Sequence, residues 1–406
     1  MTSIDFVLIA LGLVTIACLQ LPSVRSNSFW HAMVTPLASI IGSGFLIVAP
    51  LLAEIVGAYA PAAMLAIALV ALWIGSVIRF NIRWAEPLLD TPERVPTVAR
   101  VEALSRISLV GAYILSVTFY ISLMAAFLLN PIEQKEPYTQ EVVATITLVF
   151  IGIMGFTRGL KGLETLETLS VSVKIGIILA LLVGLFVHNL DIGFEYRPNH
   201  TNNYSTYEQI RLLAGMLLIV QGFETSRYLA NGYSSSVRIK SMTVAQLVTT
   251  GIYLAFVILL LPLLIHLQEG APDETAIIAI SGFAAPALPL MLIVAAIMSQ
   301  FSAATADTVG AGGIVEEQTR GKVPIAAAYA GVCLFSLTLI WTTDIFTLVS
   351  LASRAFALYY FLQTCIAILI LLRTKHTANK PLKLAGTGLL ALILLFVVLF
   401  AIPVEA

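Results

Sequence analysis

The sequence has 406 residues, of which 59% are hydrophobic and only 11% charged. A soluble domain carries roughly 25% charged residues to face water, so most of this surface faces lipid. The net charge of -1 excludes a nucleic-acid binder, which needs a basic face, and three cysteines in apolar runs (Cys18, Cys333, Cys365) give neither a disulfide framework nor a zinc site.

In chain order, mostly apolar runs long enough to cross a bilayer fall at 4–21, 31–57, 61–84, 105–129, 141–158, 167–188, 208–231, 242–267, 282–312, 324–342, 345–373 and 381–403. They predict an all-α integral membrane protein of about twelve transmembrane helices. The first run has Asp5 and no basic residue ahead of it, and no small-residue cleavage site follows. It therefore reads as a helix of the mature protein rather than a signal peptide. Breakers mark the joints: Pro22, Pro61, Pro131, Gly270 with Pro272, Pro324 and Pro381.

Lysine and arginine set the orientation, because positive loops stay in the cytoplasm. With the loop after the first helix inside, 17 basic residues collect at inner ends, among them Arg94, Lys161 and Lys375. Only Lys135, Arg197 and Arg211 collect at outer ends. Both termini then face outward. The longest loops, 85–104 inside and 189–207 outside, are too short for a separate domain, so function resides within the membrane.

Two runs are interrupted by residues that weaken a helix. Ser39-Ile40-Ile41-Gly42-Ser43-Gly44-Phe45 lies inside 31–57, and Val220-Gln221-Gly222-Phe223-Glu224-Thr225-Ser226 lies inside 208–231. Unwound backbone at that depth is tolerated only where it is buried or lines a cavity. Paired broken helices in two halves of a chain point to a transporter binding site. The second break comes five helices after the first, as two inverted five-helix repeats require. That gives an extra N-terminal helix and loop (1–30), a first repeat (31–188), a second repeat (189–373) and a final helix (374–406). The competing reading of Gly42 and Gly44 is close helix packing, a common use of small residues in membranes.

Lys174, Glu54, Glu224, Asp307 and Arg354 are charges well inside helices. A lysine in the membrane costs roughly 3 kcal/mol on insertion scales and usually faces a cavity. Lys174 is either such a working group or a lysine that snorkels to the cytoplasmic interface. Arg354 needs a partner, for which Glu54 is a candidate. Glu224 is expected to pair with Arg227 at i, i+3. Gln221 is placed to read a substrate side chain.

The segment from Thr35 to Leu46 resembles core helix 1 of the amino acid–polyamine–organocation (APC) superfamily, and Gly222-Phe223-Glu224 resembles its core helix 6 motif. The stretch from Leu166 to Ile175 is similar to the start of core helix 5. Ser302-Ala303-Ala304-Thr305 through Pro324 resembles helix 8 and its exit loop. Three features depart from the pattern: the helix 4–21, the sequence Asn231-Gly232-Tyr233-Ser234-Ser235 in place of an acidic stretch, and one helix after the core instead of two.

The resemblance implies a site. Backbone N–H groups at Ser43, Gly44 and Phe45, beside Gly42, would meet a substrate carboxylate at a helix N-terminus. Carbonyls near Ile40, Ile41, Val220 and Gln221, next to Gly222, would meet an ammonium. Phe223 would be a lid. Lys174, with Ser302 or Thr305 as hydrogen-bond partners, would fill the place of sodium in sodium-coupled relatives.

The expected function is a sodium-independent secondary transporter, proton-coupled or exchanging, of amino acids or a related small organic solute across the plasma membrane. Carriage of an amine, nucleobase or inorganic ion, or a transport-silent sensor or accessory subunit, are alternatives on the same fold. No cofactor or metal is expected. A membrane-embedded enzyme would need a Ser/His or Asp/Asp pair or a zinc motif, and the sequence has none.

Overall fold

Backbone polar groups in a bilayer find no water, so a spanning segment has to satisfy them within itself, and helices do this. The computed structural model describes residues 3–42, 44–89, 95–132, 138–159, 164–194, 204–229, 232–266, 275–373 and 379–403, and every regular element in it is helical. Ser43 and the loop residues Arg94, Lys135, Lys161, Arg197, Asn231, Gly270, Pro272 and Lys375 lie outside the described residues.

The helices in chain order are α1 (Ser3–Leu19), α2 (Pro22–Arg25), α3 (Ser28–Gly42), α4 (Val48–Val56), α5 (Ala60–Trp84), α6 (Glu86–Leu89), α7 (Pro96–Leu129) and α8 (Thr139–Arg158). Then come α9 (Glu164–Ile192), α10 (Thr206–Ala214), α11 (Ser235–Leu260), α12 (Ala276–Ala284), α13 (Leu288–Gln318), α14 (Ile325–Ile340), α15 (Ile345–Arg373) and α16 (Lys380–Phe400). Eight helical stretches among the described residues are long and apolar enough to cross a membrane, and α1 and α14 are shorter apolar helices.

Two boundaries differ from the sequence expectation. The run 282–312 is two helices, because Pro286 cannot continue α12 and holds Ala285 extended at φ -160° and ψ 136°. The loop 85–104 is shorter than expected, since α7 starts at Pro96, where a proline suits the first helical turn.

α7 is the central helix. Every residue from Ser116 to Phe127 is buried, as expected of a helix enclosed on all sides, and it packs against α13 and α15. Peripheral helices keep large apolar side chains exposed, such as Phe150, Leu334 and Leu392, where lipid is the solvent. The early helix α1 lies against α9. A Cβ on Gly176 would sit 2.7 Å from the Gly12 carbonyl oxygen, so both backbones touch. Asp5 accepts the N–H of Ala287 at the N-terminus of α13 (3.0 Å), a favourable place for a carboxylate. Gln20 Nε2 donates to Ser172 Oγ at 2.9 Å.

At the far end of the chain, α16 closes on two helices. The Arg354 guanidinium donates to the carbonyls of Val398 (2.8 Å) and Leu399 (3.3 Å), which α16 leaves without helical partners. Arg211 of α10 donates to the Phe400 carbonyl (2.8 Å), and its own carbonyl accepts the Ile402 N–H (3.2 Å).

Candidate functional site

The first break is local. α3 ends at Gly42, a turn covers 44–47, and α4 begins at Val48. Gly44 has φ +133°, a backbone conformation that a side chain resists, and a Cβ there would lie 2.9 Å from Ile219 Cγ1. Gly42 serves packing: a Cβ on it would meet the Ala303 Cβ at 2.8 Å. Both glycines thus sit at close contacts, and of the two Gly44 has the positive φ. Phe45 is buried, edge-on to Tyr253 (5.4 Å between centroids) and against Phe256 (4.4 Å).

The second break is longer. α10 stops at Ala214, residues Leu217–Val220 form a 3-10 turn, Gln221 and Gly222 are irregular, and Phe223–Leu229 resumes as 3-10 helix. Gly222 has φ +117°. Phe223 is buried and stacked on Tyr360 with centroids 5.3 Å apart.

The breaks meet. A Cβ on Gly222 would sit 2.4 Å from Ser39 Oγ and 2.6 Å from the Ile40 nitrogen, so only glycine lets the second break lie on the first. Two tyrosines then touch both. The Tyr253 hydroxyl of α11 bonds the carbonyls of Ile40 (2.9 Å) and Ile219 (2.8 Å). The Tyr120 hydroxyl of α7 receives Gln221 Nε2 (2.9 Å) and lies against Ser39. A cavity bordered by Ile40, Val220, Gln246, Thr249 and Tyr253 has a volume of about 10 Å³, room for one water. This arrangement is closed.

Lys174 is buried and donates to the Ala38 carbonyl at 2.8 Å, tying α9 to the turn of α3 that precedes the break. It does not snorkel. Thr305 donates instead to the Ser302 carbonyl (2.9 Å) on its own helix. The buried hydroxyls of Ser302 and Ser299 have no hydrogen-bond partner among the described residues.

Two expected pairings are corrected. Glu224 does not pair with Arg227. Its Oε2 turns back to accept the Gly222 N–H (2.9 Å) and the Tyr360 hydroxyl (2.7 Å), because the broken helix leaves that N–H without a helical acceptor. Arg354 does not reach Glu54; the end of α16 supplies carbonyls instead.

Sequence reasoning missed a buried ionic network beside the second break. Arg227 bonds Glu102 (3.2 Å) and approaches Glu86 (3.6 Å). Arg238 grips Glu86 through both nitrogens (3.0 and 2.7 Å), while Arg106 joins Glu102 (3.0 Å) and Glu317. Gln363 adds hydrogen bonds to Glu102 and Arg227. The network links α6, α7, α11, α13 and α15 to the segment after the break. The nearest sequence signal was the set of basic residues at inner helix ends.

Two interrupted helices that touch inside a helical membrane protein are a feature of transporter binding sites. A family model described as an APC superfamily transporter matches residues 22–401, and the chain belongs to that family. It is therefore a membrane transporter and not an enzyme. An uncharacterised protein of Aquifex aeolicus (strain VF5) is 38% identical over 390 residues, covering 95% of this chain and 93% of that one. Among solved structures, a mutant manganese transporter of Eremococcus coleocola superposes with a TM-score of 0.54 at 15% identity, over 91% of this chain and 87% of that one. The same transporter with an aromatic bis-isothiourea substituted compound gives 0.55 at 12% identity, over 91% and 86%. At such identities the likeness is one of fold.

Proposed function

We propose that this protein is a sodium-independent carrier of amino acids, or of a closely related zwitterion, across the plasma membrane, working by exchange or proton coupling. The observation that carries the reading is the contact of the two breaks, Gly222 on Ser39 and Ile40 and Gly44 on Ile219. A guest between them would meet backbone N–H groups on one side and carbonyls and hydroxyls on the other. That set suits a carboxylate and an ammonium held close together. Ile41, Phe45, Val220 and Phe223 supply its apolar walls, and the unpartnered hydroxyls of Ser299 and Ser302 lie on α13 beside the first break. Ser43 belongs to the same proposed site. Lys174 would hold in place the charge that sodium brings elsewhere in the superfamily. In this reading the twelve spans are α1, α3 with α4, α5, α7, α8, α9, the broken segment 206–229, α11, α13, α14, α15 and α16, arranged as a five-plus-five inverted repeat.

The manganese transporter's fold raises a second reading, a divalent metal cargo. A metal ion wants several carboxylates or thioethers, and among the described residues no three His, Cys, Asp or Glu side chains converge. Thermal unfolding of the purified protein against amino acids, amines, nucleobases and Mn²⁺ separates these readings. A saturating ligand at a hundredfold excess over Kd adds about 2.7 kcal/mol. We expect at least one amino acid to stabilise the protein, and liposomes to take it up with sodium replaced by choline. Stabilisation by Mn²⁺ alone would establish the metal reading; binding without uptake would establish a transport-silent sensor.

A further inference from the structure

Asp307 lies one and a half turns beyond Ser302 on α13, fully enclosed, and nothing in the transport site uses it. Its Oδ2 contacts Ser116 Oγ of the central helix α7, and its Oδ1 has no hydrogen-bond partner among the described residues. The elements that pack most extensively on α13 are α3, α7, α9, α12 and α14, while α1 brings Asp5 only to its far end at Ala287. From α7 come the tyrosines 113 and 120, and Gly310 lets Tyr113 approach α13, with 3.0 Å left for a Cβ. From α14 comes Tyr329, packed on Gly312. α9 brings Lys174, whose ammonium is bonded to Ala38; α3 brings only His31 at its start; and α12 brings no titratable group. Among the described residues no salt bridge reaches Asp307.

A carboxylate in such a place would be costly without a partner charge. The hydrogen bonds give an independent sign. Ser116 Oγ lies within bonding distance of two acceptors, the Tyr113 carbonyl (3.1 Å) and Asp307 Oδ2. A hydroxyl has one hydrogen. A protonated Asp307 that donates to Ser116 Oγ gives each contact a hydrogen of its own, because Ser116 then donates to the Tyr113 carbonyl, whereas an ionised acid leaves the two acceptors to share one.

We infer that Asp307, seated on Ser116, is a proton-binding site of the transport core, occupied in this closed arrangement and exchanging with water when α7 and α13 part. A metal ion is the wrong ligand, because it wants several carboxylate, imidazole or thiolate ligands and among the described residues no three such side chains converge. The inference deepens the proton-coupled reading given above, and it places the proton on an acid of α13 rather than on Lys174.

Infrared difference spectroscopy of the reconstituted protein over a pH titration tests it, with no solute present. It therefore stands or falls separately from the amino-acid assignment. We expect the carbonyl stretch of a protonated carboxyl at neutral pH, converted to carboxylate bands at higher pH and lost in Asp307→Asn. Ser116→Ala should shift that stretch by removing its hydrogen-bond partner, and Glu224→Gln should leave it in place. Thermal unfolding checks that each variant is folded; if Asp307→Asn is not, the Ser116→Ala shift decides. A spectrum that neither Asp307→Asn nor Ser116→Ala changes overturns the inference. So does an acid stretch that persists at every pH where the protein stays folded, which would make Asp307 a fixed neutral acid.

Discussion

Gly222 and Gly44 each combine a positive φ with a neighbour that a Cβ would crowd. Gly222→Ala has to seat a Cβ 2.4 Å from Ser39 Oγ at φ +117°, and strain of that kind costs about 1–3 kcal/mol. We expect a lower thermal midpoint for it. Gly111→Ala is the control, because a Cβ there meets nothing within 4 Å and alanine gains up to about 1 kcal/mol in a helix. Gly44→Leu is expected to fold yet lose any ligand-induced thermal shift; unchanged affinity would dismiss the carboxylate site at the first break. For Lys174, the expected result is sodium-free uptake by the wild type and no uptake by Lys174→Ala. An absolute sodium requirement in the wild type would remove Lys174 from the sodium position.

Elements were legible to different degrees. The apolar runs gave nearly all the helices, because lipid leaves a chain few alternatives. Both interruptions were visible too, since Gly-Ser-Gly and Gln-Gly announce weak helix. The break at Ala285 was not seen, although Pro286 could have shown it. What the sequence could not show was pairing across distance. Arg227 and Glu102 are separated by more than a hundred residues and meet only because α7 passes beside the second break. Reasoning from i, i+3 spacing gave Arg227 the wrong glutamate, and it left Tyr120 and Tyr253 unnoticed. This pair supplies an element-scale test. Removing one partner of a buried ion pair costs about 3–5 kcal/mol, so Arg227→Met should lose that much in an SDS unfolding titration. Adding Glu102→Gln should recover part of it. Strictly additive losses would mean that the pair is not coupled.

At the scale of the whole molecule, the distribution of basic residues predicts that both termini lie on the outer face. On a cysteine-free background, a cysteine at position 200 should react with an impermeant reagent in intact cells. Reaction only after the membrane is opened would reverse the assignment. The tie between α10 and α16 bears on the timing of synthesis. Arg211 and Phe400 are 189 positions apart. A ribosome must therefore add nearly half the chain after Arg211 before its guanidinium finds that carbonyl, and Arg354 waits in the same way for Val398 and Leu399. Until then α10, which leads into the second break, lacks its last hydrogen bonds. The segment that leads into the second break is thus made early and fastened late, and a nascent chain halted before residue 398 should be an easy mark for membrane proteases.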